Sequence, residues 1–236
     1  MPNVVGSGAR LLIAGLTIST LTLGSMPARA DDAGDAKALV EKARLTLERF
    51  AGDSAMGGFR DAVKRARGVF VSPQVLRGAF VFGISGGSGV MLARDPSSGQ
   101  WGGPAFYSFG EASFGLQAGG DASEVVLLAM TERGVSKLLA PSTKLGVDAS
   151  VAAGPVGAGV TAETAGLSAD IISFALTKGV FAGVSAEGAI VGTRGALNQA
   201  YYGKDVSPTD ILIRRQVTNP HAAGLIQALV KVAGGK

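Results

Sequence analysis

The chain has 236 residues with no cysteine and one histidine, His221. This excludes disulfides, thiolate metal sites and a cysteine nucleophile, and leaves too few imidazoles for a histidine metal centre. Charged residues are 17% of the chain and glycines number 36, about double the usual share. With 47% hydrophobic residues the composition suits a tightly turned β-rich protein and not disorder.

The first thirty residues read as a signal peptide. Arg10 precedes an apolar run, Leu11 to Leu23, and Ala28-Arg29-Ala30 fits small-x-small cleavage after Ala30. The run falls short of the ~20 residues of a spanning helix. The expected product, Asp31 to Lys236, is one domain, and its expected location is periplasmic or secreted, in a bacterium. Without Arg10 and Arg29 it holds 20 basic and 18 acidic residues, too even a balance for a nucleic-acid partner.

Residues 31–67 read as two helices and residues 68–236 as a β-rich core with further helices. Asp35 to Phe50 places Leu39, Ala43, Leu47 and Phe50 on one stripe, with Asp35 as cap. A second helix follows Asp53 or Ser54. Its apolar stripe is Met56, Phe59, Val63 and Ala66, and Gly68 suits its C′ position. Its polar side carries Arg60, Lys64, Arg65 and Arg67 against Asp61, the most one-sided basic cluster in the chain.

Strands are expected over Val69–Ser72 (stopped by Pro73), Ala79–Ile84 and Gly89–Ala93, the last two joined by a Ser85-Gly86-Gly87-Ser88 turn. Asp95 to Gly99 has good turn chemistry. From Trp101 to Gly120, Phe106, Ser108 and Gly110 alternate with Tyr107, Phe109 and Glu111, the period of a strand with two distinct faces. Glu124–Met130 is a strand, Thr131–Ala140 a short capped helix, and Ala169–Ala175 and Gly179–Ser185 a strand pair. A strand is expected at Gly188–Gly192. Helices close the chain at Thr193–Tyr202 (ended by Gly203), after Ser207-Pro208, and from Pro220 to Ala233. The fold class is therefore α+β. It is a single domain with a curved or closed, mostly antiparallel, glycine-rich sheet, and its N-terminal, internal and C-terminal helices pack outside. Short strands broken by helices argue against an outer-membrane barrel.

Catalytic chemistry finds little support. No G-x-S-x-G precedes a helix, and Gly83 to Gly89 is followed by a strand, not by the helix a phosphate loop requires. Asp148, Asp170 and Glu187 read as turn formers or ion-pair partners, and His221 as a helix-start residue at the surface. No enzyme and no cofactor is expected.

Five segments in order carry a family resemblance: W-G-G-P-A-F from Trp101, S-F-G-L-Q-A-G-G from Ser113, A-G-P-V-G from Ala153, F-A-L-T-K-G-V-F-A-G-V-S from Phe174, and Y-Y-G from Tyr201. Together they resemble the SYLF domain, related to Ysc84-type actin-binding proteins, from about Ala36 to Ile213. The resemblance implies lipid binding, through phosphoinositide membranes in eukaryotic members and actin filaments in some. It also implies a basic amphipathic segment N-terminal to the sheet. The expected lipid-binding residues are Arg60, Lys64, Arg65 and Arg67, with Met56 and Phe59 entering the interface; on the residues alone, a solvated helix with a core-facing stripe is the stronger alternative. Trp101, Pro104, Phe106, Gln117, Gly154, Pro155, Tyr201 and Tyr202 are expected as fold determinants. The expected partner is an anionic phospholipid or membrane surface, or else an envelope protein. Actin is a poor candidate for an exported protein unless a host receives it.

Overall fold

The computed structural model describes residues 29–79, 82–114, 119–155, 168–177, 180–183 and 186–234. The expected leader up to residue 28, Gln117 and the stretch after Pro155 lie outside them.

Among the described residues nine strands form one sheet: β1 (Gly68–Ala79), β2 (Phe82–Arg94), β3 (Trp101–Phe114), β4 (Gly119–Ala129), β5 (Ser142–Lys144), β6 (Val151–Ala153), β7 (Ile171–Thr177), β8 (Val180–Gly183) and β9 (Ile190–Thr193). The order is β5-β9-β3-β2-β1-β4-β7-β6, with β8 beside β6 on the outer edge of β7, and every pairing but β6–β7 is antiparallel. The sheet curls into a half-barrel. Among the described residues its end strands β5 and β6 do not pair, so of the two expected shapes they form the curved one. The helices are α1 (Arg29–Gly52), α2 (Gly57–Arg65), α3 (Glu132–Leu138), α4 (Gly195–Tyr202), α5 (Pro208–Leu212) and α6 (Ala223–Val232).

Strand alternation gives the sheet two apolar faces. Val69, Val71, Val90, Leu92, Phe106, Val126 and Leu128 point to the layer of α1, α2, α4 and α6. The intervening Phe70, Met91, Ala93, Tyr107, Leu127 and Ala129 meet α3 and α5 on the other face. The expected alternation from Phe106 onward is present, and each phase has its own core.

Several expected boundaries shift, for identifiable reasons. α1 begins at Arg29, so Asp35 lies inside the helix instead of capping it. Asp53 is a cap: its carboxylate accepts from the Ala55 amide at 2.8 Å and opens a 3-10 turn, Ser54–Met56, before α2. Gly68 is the first residue of β1 and not a helix C′ residue. β1 runs through Pro73 because the register slips there against both neighbours, and a bulge tolerates a missing amide hydrogen. The expected turn at Ser85–Ser88 is the middle of the continuous strand β2, paired on both sides. Its glycines serve close approach instead of reversal. A Cβ at Gly87 would lie 2.1 Å from the Gln74 carbonyl oxygen, and one at Gly89 would lie 2.5 Å from the Phe70 ring. Across that gap Phe70 meets Tyr107 edge-on at 6.3 Å and stacks with Phe109 at 6.1 Å.

In the second half three helix ends follow the expectation, whereas β5 and β6 have no counterpart in it and Thr193 ends β9 instead of opening α4. Thr131 caps α3, Gly203 ends α4 with φ 73°, and Ser207 with Asp210 forms a capping box on α5.

Candidate functional site

α2 presents two unlike faces. Met56, Phe59, Ala62 and Val63 are fully buried, and Phe59 packs 5.5 Å from Phe50 and edge-on to Phe174 at 5.3 Å. This corrects the expectation that Met56 and Phe59 enter a membrane interface. Their spacing builds the stripe that seats α2 on the sheet, and neither side chain reaches the surface.

The basic residues follow on the outer side, each in a different setting. Arg60 is half-buried and donates from Nη1 to the carbonyls of Ala51 and Asp53 at 2.9 and 2.7 Å, closing the C-terminal end of α1. Lys64 is exposed, with its Nζ 3.0 Å from Asp61. Arg65 is exposed. Arg67 is exposed and pairs with Glu132 at 2.9 Å. The four cations thus share one corner of the fold, and exposed ion pairs of this kind hold their partners weakly.

The fold adds cations that sequence spacing does not place there. Arg94, at the end of β2, donates to the Lys64 carbonyl at 3.0 Å and to that of Gly99 at 3.1 Å, and its guanidinium sits 5.9 Å from the Trp101 ring centre. Arg215 donates to the Gln100 carbonyl at 2.7 Å and lies 3.8 Å from Asp95. Lys231 and Arg60 line a cavity of about 450 Å³ between the ends of α1 and α6, with Glu48, Ala51, Ala228 and Val232. Lys231 thus reaches the corner through its shared cavity with Arg60, while Arg215 sits against the loop between β2 and β3. Arg214 is bound to Asp210 at 2.9 Å. Arg94 carried no local signal; only the β1–β2 register brings it beside α2.

The remaining candidates resolve into structure. Asp170 accepts from Thr131 Oγ1 at 2.7 Å and from Ser150, which hold its carboxyl below the usual carboxylate range. Asp148 accepts from the Lys144 amide in a turn. His221 is half-buried between Tyr201 Oη at 3.5 Å and Glu41 at 3.8 Å. Tyr201 packs on Phe106, and Tyr202 donates to the Pro104 carbonyl at 2.7 Å; burial pushes both phenols up. Tyr201 is a core residue, and Tyr202 packs partly buried against that core. Among the described residues no group of three or more metal-binding side chains converges, and no helix is long and apolar enough to cross a membrane.

Comparison with known proteins adds one family profile and three relatives. A family profile described as "Ysc84: Las17-binding protein actin regulator" matches residues 110–232, from β3 to the end of α6. Protein YSC84 of Saccharomyces cerevisiae is 32% identical over 203 residues, covering 82% of this chain and 43% of that protein. LAS seventeen-binding protein 3 of the same yeast is 32% identical over 174 residues, 72% of this chain and 37% of its own. The human SH3 domain-containing YSC84-like protein 1 is 30% identical over 152 residues, 64% of this chain and 44% of its own. The chain thus spans less than half the length of these relatives. One of these relatives is named as a binding protein and another by its SH3 domain, and the profile as a regulator; none of these names is an enzyme's.

Proposed function

Because the chain belongs to the Ysc84 (SYLF) family, we propose that it is a non-enzymatic domain that binds anionic phospholipid surfaces through the basic corner at α2. The observation that carries this reading is the division of α2. One face is locked into the core, which holds the other, with Lys64 and Arg65 exposed beside Arg67 and Arg94, in a fixed orientation toward solvent. Such a corner attracts anionic headgroups at roughly 1 kcal/mol per cation near the surface. It lies outside the residues that the family profile matches, so it rests on the chain's own charge placement. In the exported protein that the leader suggests, the ligand would be an envelope phospholipid or lipid A instead of a phosphoinositide.

The test is vesicle flotation of the chain from Asp31, which keeps every described element except the first two residues of α1. Lys64→Glu with Arg65→Glu alters two exposed side chains and spares Arg60, whose guanidinium is tied to α1. Binding to anionic vesicles should fall at least about tenfold; unchanged binding would remove this face. The relatives' names favour a second reading, a protein-interaction module, since one is named for binding LAS seventeen. That reading predicts no vesicle binding by the unaltered protein.

A further inference from the structure

α1 carries two seams. Ala36, Val40, Ala43, Leu47 and Phe50 form one, fully buried against the sheet. Asp35, Ala38, Lys42 and Leu45 form the other, spaced three, four and three residues apart and exposed throughout. A three-four spacing is the seam that a second helix reads. Beside it lies a recess of about 280 Å³ with Leu39, Pro73, Leu76, Gly86 and Leu197 in its lining. Leu45, at the end of the seam, and Leu76, in the recess beside it, are 48% and 56% exposed apolar side chains. Gly86, paired with Leu76, leaves the sheet backbone bare beside it: a Cβ built there meets nothing nearer than the Phe109 oxygen at 3.9 Å.

We infer that this strip is a two-fold interface with a second copy of the chain, formed by α1 lying antiparallel to the partner copy's α1. The charges on the seam are self-complementary. In an antiparallel pair related by a two-fold axis, facing residue numbers have a constant sum. A crossing between Ala38 and Leu39 sets Asp35 against Lys42 of the other copy, twice. The two residues are two helical turns apart, about 10.5 Å along the axis. Asp35 and Lys42 are exposed and have no ion pair within the chain among the described residues. Ala38 at the crossing is small enough for close approach, and the recess beside Gly86 receives an aliphatic side chain from the partner. One patch thus supplies knob and hole, acid and base, as an isologous contact requires. This inference is independent of lipid binding, since the strip and the α2 corner share no residue.

Sedimentation velocity of the chain from Asp31, without lipid, tests it. A concentration-dependent dimer is expected in the micromolar range. Asp35→Lys sets four lysines against one another and should weaken the dimer at least tenfold. Asp35→Lys with Lys42→Asp exchanges the charges and should restore it, a rescue that only the reciprocal pair explains. Leu76→Glu, at an exposed site, should give monomer with an unchanged circular dichroism spectrum. Monomer at every concentration up to hundreds of micromolar, or a dimer indifferent to Asp35→Lys and Leu76→Glu, would overturn the inference.

Discussion

The two faces of the sheet bury apolar residues by different means. Under the helix layer, ordinary branched and aromatic side chains from alternate strand positions meet helix stripes, with Phe59 in ring contact with both Phe50 and Phe174. On the other face the aromatic cluster is built within the sheet itself. Phe70 of β1 reaches over Gly89 of β2 to Tyr107 and Phe109 of β3, because the strand between has no side chain there. One face is specified by periodicity and the other by a missing Cβ.

Substitutions can break each face separately. Gly89→Val should have the largest effect. Its Cβ would fall 2.5 Å from the Phe70 ring and 2.7 Å from the Val71 carbonyl oxygen, so backbone must move; a loss above about 3 kcal/mol in urea unfolding is expected. Phe59→Ala opens a cavity under the helix layer and should lose about 3–5 kcal/mol. A loss below about 1 kcal/mol in urea unfolding would mean that α2 is not seated as described. Asp170 joins the start of α3 to the turn before β6, and its folded pKa is lowered by Thr131 and Ser150. Its contribution is present above the unfolded value, about 3.9, and is lost as pH falls through the folded one. Asp170→Asn should therefore flatten the stability profile below pH 4 while lowering stability at pH 7, as thermal unfolding across pH would show. Arg67→Ala should matter least, at most about 1 kcal/mol, because both partners of its ion pair with Glu132 are exposed. Chemical denaturation would show a larger cost if that pair anchored α3.

What could be read from the residues follows the same division. Thr131, Gly203 and Ser207 announced their helix ends because caps are local chemistry. Phe106 and Tyr107 announced opposite faces because strand period is local too. Gly86 and Gly87 misled, since glycine marks turn and close approach alike, and only the partner strand distinguishes them. Pro73 misled because a bulge accommodates it. At α2 the basic positions were legible, but Met56 and Phe59 have the same apolar character whether they face a membrane or a core. Their complete burial decides it. Arg94 was invisible, being brought to the corner by strand register alone.

In the proposed function the α2 corner binds anionic lipid surfaces by charge. Its most direct test is co-sedimentation of the chain from Asp31 with neutral and anionic vesicles across a salt series. Screening shortens from about 8 Å at 0.15 M to about 3 Å at 1 M salt. The account predicts binding to anionic vesicles alone, lost as salt rises. Binding that ignores salt and headgroup charge, or no binding at low salt, would contradict it.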